Sequence, residues 1–228
     1  MKKTIFFVFL VLILAIISSC MTGTDITKKN KDGSPIWTTE IPKSSVVLYG
    51  VGKAKLLMDS NSQLAADAAA RNDLALKINA NVKEALTIYS NEASSVVVSA
   101  YETIIMQSVN LTMKNIMVEQ RWIAPDGTVW SLVSFKIKNL PELYKDAAND
   151  YMNQLEEKKI STQEKLVTLL SELGSSSESD VVEMKTVAQD KANSIISEID
   201  EILGGLDIDT SAALIELYLI QKGYELSK

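Results

Sequence analysis

Two β-rich runs meet at a four-residue turn near the middle of the chain, and no other stretch narrows the fold as much. Asn115 to Ile123 and Thr128 to Ile137 are crowded with β-branched and aromatic residues, which suit a pleated strand. Between them stands Ala124-Pro125-Asp126-Gly127. Proline presets φ, aspartate tolerates the turn and glycine supplies a positive φ, so the two runs should fold back as a β-hairpin. In the first arm Ile116, Val118 and Trp122 are expected on one face. In the second, Trp130 and Leu132 share one.

A third β-rich run, Val46-Val47-Leu48-Tyr49, lies upstream, and Gly50 and Gly52 are expected to end it. A helix should start near Ser60, which has capping-box spacing to Gln63. Leu64, Ala68, Ala75, Ile78 and Val82 then fall on one helical face, and the many alanines suit close packing on a sheet. Asn91 to Val109 reads as a second helix, against the pull of Val96-Val97-Val98 toward strand. From Pro141 the texture changes. Leu155, Leu166, Leu169, Leu170 and Leu173 carry helical spacing, which Gly174-Ser175-Ser176-Ser177 interrupts. A further helix, capped at Ser179 or Asp180, should run to Leu203 and bury Met184, Ala188, Ala192, Ile195, Ile199 and Ile202. Two such helices make an antiparallel αα-hairpin. After Gly204-Gly205 a last helix, about Ser211 to Gln221, is apolar almost all round and should dock. The expected class is α+β: a small antiparallel sheet packed by helices, followed by a C-terminal helical segment.

The first twenty residues have another logic. Met1-Lys2-Lys3 precedes thirteen apolar residues, Ile5 to Ile17, and then Ser18, Ser19 and Cys20. That is the layout of a secretory signal, and the run is shorter than the roughly 20 residues a membrane span needs. Ile17-Ser18-Ser19-Cys20 resembles a lipobox, with Ile for the usual Leu and Ser for the usual Gly or Ala. Cleavage between Ser19 and Cys20 followed by acylation of Cys20 is the expectation. Cys20 is the single cysteine, so it has no disulfide partner within the chain, and lipidation gives it a purpose. Two or more acyl chains hold a protein stably where one does not. Met21, standing where an inner-membrane lipoprotein often has Asp, points to the outer membrane. The organisation expected is a leader over 1–19, a lipidated cysteine and flexible tether over 20–34, an α+β domain over 35–140 and a helical segment over 141–228.

Charge and composition exclude several functions. The chain has 23 basic and 29 acidic residues, a net charge of −6, and loss of Lys2 and Lys3 with the leader takes it to −8. That is the wrong sign for nucleic acid. There is no histidine, the commonest general base and metal ligand, so neither an enzyme nor a metal or cofactor is expected. Gly50-Val51-Gly52-Lys53 looks like part of a phosphate loop, but Val47 and Ala54 stand where the motif needs Gly and Ser or Thr. Trp37, Tyr49, Trp122 and Trp130 are candidates for an aromatic binding face, with Arg121 against one ring as a cation–π pair. Ordinary core and sheet packing is the competing explanation. Asp207 and Asp209 suit a helix cap better than a calcium loop.

Pro35-Ile36-Trp37 with Pro42, then Tyr49-Gly50-Val51-Gly52, the alanine-rich helix and the hairpin around Trp122, Asp126-Gly127 and Trp130 together resemble the Lpp-twenty family of bacterial lipoproteins, over about 35–137. The resemblance implies an α+β domain on an outer-membrane or surface lipoprotein, with no catalytic residues to carry over and a likeness to the N-terminal domain of a flagellar assembly protein. The helical segment after Pro141 lies beyond it. The expected function is a non-catalytic interaction or envelope-structure role for a protein held on a membrane through Cys20, with a protein partner or a second copy engaged through 141–228. The alternatives are a binder of a small ligand or cell-wall fragment, and a motility-associated accessory lipoprotein by fold analogy.

Overall fold

The computed structural model describes residues 25–90, 93–175 and 178–226; the expected leader, the expected cleavage between Ser19 and Cys20 and the expected lipidation of Cys20 fall outside these. The elements are β1 (Val47–Ala54), α1 (Asp59–Ser90), α2 (Ser95–Lys114), β2 (Met117–Ile123), β3 (Val129–Lys136), α3 (Leu140–Glu172), α4 (Ser179–Gly205) and α5 (Ile208–Leu226). The sheet is antiparallel in the order β1-β3-β2. This is the expected α+β architecture with a C-terminal helical segment.

The hairpin forms where its turn chemistry puts it. Gly127 has φ +82°, and Asp126 accepts from the Thr128 N–H at 2.9 Å. A bulge at Glu119 changes the faces, however. Val118 pairs with Val133 and Gln120 with Leu132, leaving Glu119 extra. One inserted residue reverses alternation. Val118 therefore faces the helices with Val133, while Trp122 and Trp130 form a cross-strand pair on the opposite face.

β1 does not stop at its glycines. It runs through them to Ala54, and they serve α1. A Cβ on Gly50 would meet the Ala70 carbonyl oxygen and Leu74; one on Gly52 would meet the Ala70 nitrogen and the Ala66 oxygen. Glycine lets the helix backbone approach the strand. That contact fixes the buried face of α1 as Ser62, Ala66, Ala70, Leu74, Ile78 and Val82, not the face through Leu64 and Ala68. Leu64 is 70% exposed. The free edge of β1 is also covered from α1. Asp73 accepts the Val51 N–H at 3.0 Å, and Lys77 donates to the Tyr49 carbonyl at 3.0 Å. An edge capped in this way resists pairing with another strand.

One core spans both expected domains. Leu74, Ile78, Ile104, Val133 and Phe135 pack in the same cluster as Leu140, Tyr144, Ile215 and Leu219. α5 docks as expected, and Asp207 caps it by accepting the Thr210 N–H at 3.0 Å. Residues 25–34, expected as tether, form a hydrogen-bonded turn instead: the Ile36 N–H donates to Lys28 at 2.9 Å, and Asn30 donates to Ser34.

The body has two ends. The hairpin turn, the end of β1 and the start of α1 lie at one. The start of β2 and the end of β3 lie at the other, where α3 begins. α3 then runs back along α2, so that Leu155 packs with Ala100 and Ile199. The αα-hairpin therefore points away from the turn end.

Candidate functional site

The face of the sheet turned away from α1 carries the aromatic residues. Trp122 and Trp130 sit opposite each other on β2 and β3. The Lys53 ammonium, on β1 across from Trp130, lies 4.9 Å from that ring's centroid. Together with Ser34, Thr38, Lys55 and Asp126 they line an open groove of about 790 Å³. Asp126 is held below the usual carboxylate range by the Thr128 N–H and hydroxyl, with Lys55 adding a smaller share.

Of the five residues expected here, the groove takes two. Trp37 is buried, 1% exposed, and its indole N–H donates to Gln120 at 2.8 Å; it is packing, not a binding surface. Tyr49 lines a separate recess with Ile41, Pro42 and Lys77, where burial, with Glu119 nearby, pushes its hydroxyl pKa up. Arg121 is one residue from Trp122 and so points the other way. It reaches α1, donating to Asp67 at 2.9 and 2.6 Å, while the Ser131 hydroxyl donates to the same carboxylate at 2.7 Å. The cation over an indole is Lys53, not Arg121. Lys53 was legible only through the β1–β3 register, which a single strand's pattern does not carry.

The second candidate surface is the arm formed by α3 and α4. Its seam follows steps of three and four: Leu155, Lys159, Thr162, Leu166 and Leu169 on α3 with Leu173 capping it, and Val181, Lys185, Ala188, Ala192, Ile195, Ile199 and Ile202 on α4. This is the spacing of a coiled coil. Lys159 pairs with Asp200, and Lys185 donates to the Gly174 carbonyl, which sets the antiparallel register. Met184, expected to be buried, is 56% exposed because it falls one residue before a seam position.

The residues that follow each seam position lie on one flank of an antiparallel pair. On α3 they include Ile160, Gln163, Val167 and Leu170; on α4, Val182, Thr186, Gln189, Asn193 and Ile196. None is charged. The opposite flank carries Lys158, Lys165, Glu172, Lys191 and Glu198, with exposed Met184 and Val187 among them. Val167 is 67% exposed and Ile160 54%, so the uncharged flank is bare.

No family model matches the chain, and no curated protein does. Among solved structures it is similar to the secreted protein HP1454 from the human pathogen Helicobacter pylori, at 14% identity over 70% of this chain and with a TM-score of 0.23. The match takes in 52% of that protein, so this chain spans about half its length. At that score the likeness carries no argument about function.

Proposed function

We propose that the chain is a lipid-anchored protein of the bacterial cell envelope, held through acyl chains on Cys20, whose α3–α4 arm engages a protein partner. The Lpp-twenty resemblance and the leader-like first twenty residues support the anchor and its outer-membrane location. The observation that carries the arm's role is its lack of any core. Among the described residues from 156 to 191 none is buried, yet the helices continue for about 25 Å past Leu155. A length that does nothing for the body's packing, and whose distal part bears a bare uncharged flank, is suited to contact. Uncharged interface centres are the usual pattern.

The test has two parts. Native protein should yield an intact mass with acyl chains on Cys20, and Cys20→Ser should leave the membrane fraction. A photo-crosslinker placed at Val167 should give one defined protein adduct that a crosslinker at Lys165, on the charged flank, does not give. Equal or absent products at the two positions would reject the arm as a contact surface.

A second reading, binding of a small ligand or cell-wall fragment, is favoured by the groove at Trp122 and Trp130. Its size falls within the range of ligand sites, and an aromatic floor with a few polar groups is their usual chemistry. Quenching of tryptophan fluorescence by soluble cell-wall glycan fragments, lost in Trp122→Ala, would support it.

A further inference from the structure

The loop joining β1 to α1 carries the most exposed run of large apolar side chains in the described residues. Leu56 is 52% exposed, Leu57 106% and Met58 64%. Three consecutive side chains of this size, turned outward together, are unusual on a soluble surface. The loop is not slack. The Ser62 hydroxyl, fully buried, accepts the Leu56 N–H at 2.8 Å and is 3.1 Å from the Met58 carbonyl. The tip is presented, not merely left loose.

Its position says what it meets. The loop leaves β1 at the turn end, where Ile123, on the far side of β3, is also 50% exposed at the end of β2. The N-terminal turn is at this end too: Asp32 and Ser34 line the groove with Lys53 and Lys55. Four residues, 21–24, separate Cys20 from Asp25, and even fully extended the five steps span no more than about 18 Å. Acyl chains on Cys20 would therefore hold this end against the bilayer and leave the arm pointing outward. Lys53 and Lys55 are exposed just behind the tip, at the level where lipid phosphates would lie.

We propose that Leu56, Leu57 and Met58 insert into the same bilayer as the acyl chains, making a second, non-covalent membrane contact that fixes the orientation of the body. This rests on the lipid-anchor reading above. With 29 acidic against 21 basic residues once Lys2 and Lys3 leave with the leader, a net charge of −8, the chain gains little from anionic lipid, so the contact is apolar and should form on zwitterionic vesicles.

The experiment uses the native full-length protein in phosphatidylcholine vesicles that include a phosphatidylcholine with a diazirine in its acyl chain. After illumination, peptides are mapped for lipid adducts. The expected result is an adduct on the peptide containing Leu56 to Met58 and none on 156–191. Leu57→Glu should lower the loop adduct at least fivefold with the circular dichroism spectrum unchanged, since Leu57 makes no buried contact. An acylated Cys20 peptide together with an unlabelled loop, or with adducts on the arm instead, overturns this inference and leaves the anchor standing. An unmodified Cys20 thiol overturns both.

Discussion

Asp67 is a carboxylate closed in between a helix and a sheet, its side chain 7% exposed. Hydrogen bonds from Arg121 hold its pKa below the ordinary value; Ser131 helps, and burial opposes. A folded pKa below the unfolded one means that Asp67 contributes stability above the ordinary carboxylate pKa. That contribution drains as pH falls through the lowered folded value. Asp67→Asn should cost about 1–3 kcal/mol at neutral pH, toward the lower end because Arg121 is 44% exposed and screened. Urea midpoints of the two proteins should begin to converge as the pH drops below about 4 and meet only below the lowered folded value. A gap that stays constant with pH would reject the assignment. The glycines make a second contrast. In Gly52→Ala the new methyl meets helix backbone on two sides, so α1 must move; the loss should reach or exceed the roughly 1–3 kcal/mol of overpacking. Gly127 has open space but φ +82°, and Gly127→Ala should cost only roughly 1–2 kcal/mol. Denaturant unfolding ranks the two.

At the scale of elements, what was legible and what was not have physical reasons. The β2–β3 turn was legible because Pro125, Asp126 and Gly127 each restrict the backbone locally. The extent of α4 was legible from its Ala and Ile spacing between Ser179 and Gly204-Gly205. The Glu119 bulge was not, because nothing in Val118-Glu119-Gln120 differs from regular alternation until β3 is laid alongside. On α1, Ile78 and Val82 went in as expected, but the alanine-rich first half was misread at Leu64, Ala68 and Ala75 because alanines give no preference; Gly50 and Gly52, on another element, decide which alanines go in. In the candidate site, Trp122 and Trp130 were found from strand composition, whereas Trp37, Tyr49 and Arg121 went elsewhere through packing and register. The seam of the arm was partly hidden because Lys159, Thr162 and Lys185 occupy apolar positions. That mixed seam also predicts a gradient of stability. Hydrogen exchange should show amides near Leu155 and Ile199 opening only with the whole molecule, while those near Leu173 and Val181 open at much lower free energy. Leu155→Ala, at a site 7% exposed, should cost about 2–5 kcal/mol. Leu169→Ala, on the half-buried distal seam, should cost about 1 kcal/mol. Uniform protection along the arm would mean that something covers it.

Across the whole molecule, the boundary suggested by the change of texture at Pro141 is not a boundary of stability. Tyr144, Ile215 and Leu219, all beyond it, are no more than 2% exposed and close the same core as Leu74, Ile78 and Ile104. Burying each such side chain is worth about 1.5–3 kcal/mol. Losing three of them, with Leu140 and the alanines around them left facing water, takes away most of the roughly 5–15 kcal/mol that a domain commonly has. Ending the chain at Pro141 should therefore give a product without a cooperative unfolding transition, and any loss of function in it would say nothing about the arm. The informative deletion lies further out. Excising 156–191 and joining α3 to α4 by a short Gly-containing turn removes no residue of the main core and none of the smaller one. That protein should unfold in a single transition, within about 1 kcal/mol of the parent once its fewer residues are allowed for, and keep the Trp122–Trp130 groove. Comparing urea unfolding of the two deletions decides between a separable helical segment and a single body with an arm. A folded product ending at Pro141 would establish the first.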